Sequence, residues 1–202
     1  WGGAEIAGRH ARLLWPAAIA VILALSVRAW FQVKTWSDPV TLARHAVNVT
    51  SDNFQQYNNL GIHLAAQGRY DEAISNYVES LRINPSFAWT RNNLGNALMA
   101  QGRLDEAIGE FGEALRLSPG YAEAHNNLGI ALAKRGDFEA AVSHFLEALR
   151  ADAGNEGRQR NLLLATGKLQ DKEKAQACYR AALDIAESAG EQDLADAIRE
   201  KL

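Results

Sequence analysis

Apolar residues in the middle of the chain recur at intervals of three and four, which is the spacing of one face of an α-helix. Tyr57, Leu60, Gly61 and Leu64 form such a stripe, and equivalent stripes follow twice more at a constant interval. After each stripe comes a second, shorter one that contains an alanine and, four positions on, an aromatic residue: Ala73 and Tyr77, Ala107 and Phe111, Ala141 and Phe145. The pattern therefore predicts three pairs of amphipathic helices.

The sequence Asn-Asn-Leu-Gly occurs at residues 58–61, 92–95 and 126–129, so it recurs with a fixed period of 34. A fixed period of this length is typical of stacked repeats, in which one unit is too small to bury its own apolar face. We therefore predict three full units over 54–155, a weaker fourth unit over 156–189 and a capping helix over 190–202.

Glycines occupy two positions of each full unit. Because glycine lowers helix propensity, Gly61, Gly95 and Gly129 are expected to let a neighbouring helix approach closely. Glycines at the end of each first helix are expected to adopt the left-handed conformation: Gly68, Gly102 and Gly136. In the fourth unit Leu163 and Gln170 take the two positions, so the geometry of that helix pair is expected to differ.

These residues resemble the signature of the tetratricopeptide repeat, with a large residue, Leu and Gly on the first helix, Gly at the turn, and Ala, aromatic, Ala and Pro on the second. The resemblance covers residues 54–155 in full and 156–189 in part. It implies an all-α solenoid of antiparallel helix pairs that binds a protein or an extended peptide on its concave face.

An uncharged run precedes the repeats. It extends from Leu13 to Val27, and extending it to Phe31 gives 19 residues, or about 28 Å of helix against a hydrocarbon core of about 30 Å. We predict a transmembrane helix over 13–31 after a lead-in over 1–12. The alternatives are a helix of a soluble protein and a signal peptide, although no small-x-small cleavage site follows the run. Flanking basic residues weakly favour an extracytoplasmic repeat array, periplasmic or lumenal.

Residues 37–53 are predicted to form a half-repeat helix that joins the membrane helix to the array. The junction, with Trp36-Ser-Asp, Thr41-Leu, His45-Ala-Val, Thr50 and Asn53, resembles that of membrane mannosyltransferases with C-terminal tetratricopeptide repeats. This resemblance implies that the chain is the last span and repeat tail of a polytopic protein O-glycosyltransferase, whose catalytic part lies upstream. A soluble or singly anchored assembly scaffold is the third alternative.

No residues of the chain form a catalytic motif. Its five histidines never have an i, i+4 metal-ligand partner, and Cys178 is the only cysteine, so neither a metal site nor a disulfide is expected. Every glycine beyond residue 8 is accounted for by the repeat, which leaves no phosphate loop, and the net charge of −3 does not indicate nucleic acid. We expect no cofactor and no enzymatic activity in this chain.

The second asparagine of each unit is the main candidate for binding. Measured from Tyr57, Asn59 lies about 200° round the helix, away from the packing stripe. An amide can donate to and accept from a peptide backbone, and similar asparagine series occur in protein O-linked N-acetylglucosamine transferases. The alternative is a surface residue copied by duplication, whereas the first asparagines (Asn58, Asn92, Asn126) are predicted to be structural. The predicted peptide-binding residues are Asn59, Asn93, Asn127, Asn161, Trp89, Asn96, Lys134 and Lys168.

Overall fold

The computed structural model describes residues 19–33, 38–49 and 53–202, and all regular secondary structure in these ranges is helical. The chain divides into two units, Trp1–Thr50 and Ser51–Leu202. In the first unit, residues 19–33 form helix α1 and Pro39–Val49 form helix α2. The large apolar side chains of α1 are exposed.

The second unit consists of nine helices in its described residues. They are α3 (Phe54–Ala66), α4 (Tyr70–Ile83), α5 (Ala88–Ala100), α6 (Leu104–Leu117), α7 (Ala122–Arg135), α8 (Phe138–Ala151), α9 (Glu156–Thr166), α10 (Lys172–Ala189) and α11 (Gln192–Arg199). Helices α3 and α4, α5 and α6, and α7 and α8 form closely packed pairs joined by short turns, and α4, α6 and α8 also pack against the first helix of the next unit. The predicted all-α solenoid of helix pairs is confirmed.

The core of each full unit is a glycine of the first helix packed against an aromatic ring of the second. The rings of Tyr77, Phe111 and Phe145 are at most 2% exposed. A Cβ added at Gly61, Gly95 or Gly129 would lie 2.4, 2.6 or 2.6 Å from the facing ring. These glycines therefore permit the close helix packing that the sequence predicts.

The turn glycines also have the predicted conformation. Gly68, Gly102 and Gly136 have φ values of 75°, 77° and 99°, a region that residues with a Cβ rarely adopt. Each ends a first helix and allows the second helix to fold back against it.

The fourth unit departs from this geometry, as Leu163 and Gln170 led us to expect. Leu163 takes the glycine position. Helix α10 packs against α9 far less extensively than the second helices of the full units pack against their first helices, and it packs mainly against α11. The Asp171 carboxylate caps α10 by accepting hydrogen bonds from the backbone N–H groups of Glu173 and Lys174, at 2.9 and 3.1 Å. Leu194, Ala195 and Ile198 of α11 are buried, and α11 lies within the predicted cap.

None of the helices in the described ranges combines the length and apolar character that a membrane crossing requires. Part of the predicted span, residues 13–18, lies outside the described residues, as do residues 34–37 and 50–52 of the predicted junction.

Candidate functional site

The first helices of the four repeat units present equivalent residues on one side, which we call the groove face. On each helix the positions are spaced i, i+4, i+7 and i+11, which places them along one stripe. None of the sixteen residues is fully buried. They are Gln55, Asn59, Ile62 and Ala66 on α3; Trp89, Asn93, Asn96 and Ala100 on α5; Glu123, Asn127, Ile130 and Lys134 on α7; and Gly157, Asn161 and Leu164 on α9, with Lys168 in the turn that follows α9.

Two clefts lie between neighbouring first helices on this face. The α3–α5 cleft has a volume of about 310 Å³ and is lined by Ile62, Ala65, Tyr70, Tyr77, Asn93, Asn96, Ala97 and Ala100. The α7–α9 cleft has about 340 Å³ and is lined by Ile130, Ala133, Lys134, Phe138, Phe145, Asn161, Leu164, Ala165 and Lys168. Each residue of the first set has its counterpart in the second set at the equivalent repeat position, so the clefts are the same feature repeated two units apart.

The clefts bring together five of the eight predicted binding residues. Asn93 and Asn96 line the α3–α5 cleft, and Asn161, Lys134 and Lys168 line the α7–α9 cleft. The remaining three, Asn59, Trp89 and Asn127, lie on the same stripes but outside both clefts. Contact between any of these residues and a peptide stays a prediction.

The asparagines form hydrogen bonds between units that the sequence analysis did not anticipate. In each case the second asparagine of one unit donates to the first asparagine of the preceding unit, 35 residues earlier. The bonds run from Asn93 Nδ2 to Asn58 Oδ1 (2.9 Å), from Asn127 Nδ2 to Asn92 Oδ1 (3.0 Å) and from Asn161 Nδ2 to Asn126 Oδ1 (3.0 Å). We call these three bonds the asparagine ladder. The structural role predicted for the first asparagines is confirmed.

The ladder accounts for the asparagines at both ends of the array. Asn161 of the fourth unit has its acceptor in Asn126. Arg160 takes the position of the first asparagine in the fourth unit, and Ala195 takes the position of the second asparagine one repeat later. The side chains for a further ladder bond are therefore missing at these two positions. At the other end, the position one unit before Asn58 is Ala24. Asn59 is exposed and has no ladder bond in the described part of the chain.

The interface between the first two full units also contains a buried hydroxyl network. Thr90 Oγ1 donates to Asn58 Oδ1 at 3.0 Å and lies 3.2 Å from Ser80 Oγ, which donates to the Phe54 carbonyl at 2.7 Å. Asn58 Oδ1 therefore accepts from both Thr90 and Asn93. Position by position, the next interface has alanines, Ala114 and Ala124, in place of the two hydroxyl residues.

Trp89 belongs to an aromatic row beside the clefts. Its ring stacks between those of Phe87 and Tyr121, with distances between ring centroids of 6.5 and 6.3 Å. The ring of Phe54 packs edge-on against Phe87, with 5.0 Å between centroids. Trp89 is nevertheless 63% exposed. Burial, together with the nearby Glu123 carboxylate, raises the pKa of Tyr121 to about 12. Stacking thus fixes the Trp89 ring in position while leaving it open to solvent.

Two histidines of the third unit replace an ion pair of the second. Arg91 Nη1 donates to Glu110 Oε2 at 2.9 Å, and at the equivalent positions of the next unit His125 Nδ1 lies 3.1 Å from His144 Nδ1. His125 Nε2 is 2.9 Å from the Pro119 carbonyl oxygen. Because a carbonyl can only accept, Nε2 carries the proton, and His144 donates its Nδ1–H to His125.

We expect this pair to make stability depend on pH. Burial lowers the pKa of His144 in the folded state, and the neighbouring His125 lowers it further. Glu147 raises it by a smaller amount. The unfolded chain therefore binds a proton at a higher pH than the folded chain does, so stability falls as pH drops below about 6.5. The loss is complete once the pH is below the lowered pKa of His144 in the folded state. Urea unfolding followed at pH 7.5, 6.5 and 5.5 measures it.

The second unit supplies the control. The double variant His125→Arg with His144→Glu copies the Arg91–Glu110 pair and should lose this part of the pH dependence. An identical pH profile in the variant and the original chain would contradict the assignment.

No group of three or more His, Cys, Asp or Glu side chains within the described ranges could hold a metal ion. Cys178 is a free, half-buried thiol. Burial raises its pKa, so the less reactive protonated form is favoured.

The fold and the groove face together define a solenoid of stacked helix pairs. Three family models match the sequence: "Tetratricopeptide repeat" over residues 92–156, "TPR repeat" over 63–102 and a second "Tetratricopeptide repeat" model over 161–188. Residues 63–156 and 161–188 are therefore tetratricopeptide repeats. A search of curated proteins finds no match.

Several solved structures are similar to this chain in fold. MamA is similar with a TM-score of 0.62 and 18% identity, covering 75% of this chain and 89% of MamA. The first TPR of Spaghetti (RPAP3), bound to the HSP90 peptide SRMEEVD, has a TM-score of 0.58 and 22% identity. The match covers 61% of this chain and 98% of the Spaghetti chain. The Sgt2 TPR domain from Aspergillus fumigatus has a TM-score of 0.55 and 23% identity. The match covers 57% of this chain and 78% of the Sgt2 chain.

Proposed function

We propose that the groove face binds an extended segment of a partner protein. The observation that carries this proposal is the pair of equivalent clefts, which open on one face and are lined by residues of neighbouring first helices. Large apolar side chains lie exposed on this face: Ile62 is 42%, Leu164 63% and Trp89 63% exposed. Apolar surface kept exposed around clefts is typical of an interaction site.

The similar structure of the first TPR of Spaghetti supports this proposal because it is bound to a short peptide. Two equivalent clefts on one face suit an extended chain, which can place a side chain in each of them. Backbone groups of such a segment would meet the asparagine amides. Asn93 and Asn161 each use one N–H in the ladder, and an amide has a second N–H and an oxygen. Asn59 has no ladder bond and offers all of its donors and acceptors.

The test is selection of peptides from a displayed random library by the purified chain. We expect enriched sequences whose affinity falls about tenfold in Trp89→Ala, because a fixed and exposed indole loses its contact with the peptide. Val78→Ala is the matched control, since Val78 is 53% exposed on a second helix, outside the groove face. The proposal is wrong if no sequence is enriched, or if both variants weaken binding equally.

We propose membrane tethering through residues 13–31 as a second role, with the repeats extracytoplasmic. The specific observation is that α1 exposes its apolar side chains, among them Leu23 at 59% and Trp30 at 60%. The link to a glycosyltransferase rests on the sequence of the junction alone. Membrane spans encoded upstream of Trp1 in the complete reading frame would support this link, and a start codon directly upstream would contradict it.

A further inference from the structure

We infer that the α7–α9 cleft takes a bulky apolar side chain of the bound segment, next to an aspartate or glutamate of that segment. This inference rests on the proposed function and adds the chemistry of the ligand. It comes from comparing the two equivalent clefts position by position. The α3–α5 cleft acts as the internal reference, because its lining residues occupy the equivalent repeat positions.

The interior of the α7–α9 cleft has lost the polar groups of its counterpart. Phe138 and Phe145 stand where the α3–α5 cleft has Tyr70 and Tyr77, which removes two hydroxyls. Leu164 replaces Asn96, which removes an amide. A polar side chain entering this cleft would give up its hydrogen bonds to water and find few in return. An apolar side chain would bury its surface against Ile130, Leu164 and the two rings.

The walls of the α7–α9 cleft have gained two positive charges. Lys134 and Lys168 line this cleft. At the equivalent repeat positions the α3–α5 pair has Ala66 and Ala100. Lys134 is in the last turn of α7, Lys168 lies in the turn that follows α9, and both are exposed. Neither forms an ion pair with a residue in the described part of the chain.

The acidic side chains near Lys168 are already occupied. Asp137, Glu139 and Asp171 line a neighbouring cleft together with Lys168. Asp137 pairs with Arg135, Glu139 pairs with Lys174 at 2.7 Å, and Asp171 caps α10. The two lysine charges are therefore left for a ligand, and a carboxylate beside the apolar anchor complements them.

The library selection described above tests this inference when the enriched sequences are read residue by residue. We expect an apolar residue followed or preceded by Asp or Glu. One enriched peptide is then synthesised, together with forms in which its apolar residue is changed to Asn or its acidic residue to Gln. Each change should weaken binding about tenfold, and only the change to Gln should also reduce the dependence of affinity on salt.

Variants that copy the α3–α5 cleft should produce the same losses from the protein side. Leu164→Asn should abolish the preference for an apolar residue, and the double variant Lys134→Ala with Lys168→Ala should abolish the preference for an acidic one. Val78→Ala, outside the groove face, is the control and should leave both preferences intact.

The outcomes separate this inference from the proposed function. Peptides that bind through Trp89 but lack the apolar–acidic pair, or that ignore the Leu164 and lysine variants, would overturn the inference while leaving groove binding in place. A chain that enriches no peptide at all would overturn both.

Discussion

Replacing Gly95 by leucine is expected to lower the free energy of unfolding by about 3 kcal/mol, at the upper end of the range for overpacked cores. Even a Cβ at this position would lie 2.6 Å from Phe111 Cε1, and Phe111 is fully buried. The α5–α6 pair would have to separate to make room for the larger side chain. Urea unfolding monitored by circular dichroism measures the change.

Two further variants make this prediction specific. Gly109→Leu, on the open face of α6, meets nothing within 4 Å, so it should stabilise the chain by about 0.5–1 kcal/mol through helix propensity. Adding Phe111→Ala to Gly95→Leu should recover part of the loss, because the alanine frees space for the leucine. A destabilisation at position 109 as large as that at 95 would show that steric contact with Phe111 is not the cause.

The repeat geometry could be predicted because each unit is specified locally. The fixed repeat period, the glycine beside an aromatic ring and the turn glycine with positive φ are all determined by residues within one unit. The departure of the fourth unit could be predicted for the same reason, since Leu163 takes the position of the glycine.

The asparagine ladder could not be predicted in this way because it depends on how neighbouring units stack. Helical periodicity correctly placed Asn93 outside the packing stripe of its own unit. It could not show that Asn58 of the preceding unit lies 2.9 Å away. The spacing of 35 residues between donor and acceptor, one more than the period, was the available signal. The chemistry of the clefts is likewise visible only when residues from two units are combined.

Replacing Asn127 by alanine is expected to lower the free energy of unfolding by about 1–3 kcal/mol, because the change leaves a buried acceptor unsatisfied. The Asn127 Nδ2 group donates to Asn92 Oδ1 at 3.0 Å, and the Asn92 side chain is fully buried. The variant leaves that oxygen without its donor from the next unit, and an unsatisfied buried acceptor costs more than the bond itself contributed. The loss should exceed the small gain in helix propensity from alanine, and urea unfolding again measures the balance.

Asn59→Ala is the matched control, because Asn59 occupies the same repeat position but has no ladder bond among the described residues. Here only the propensity gain applies, so stability should rise by a few tenths of a kcal/mol. Equal effects at positions 59 and 127 would contradict the structural role of the ladder. The comparison also decides how peptide binding should be tested. Loss of binding in Asn127→Ala could come from a lost peptide contact or from lower stability, so this variant does not separate the two causes. Loss of binding in Asn59→Ala with undiminished stability would identify an asparagine that touches the ligand directly.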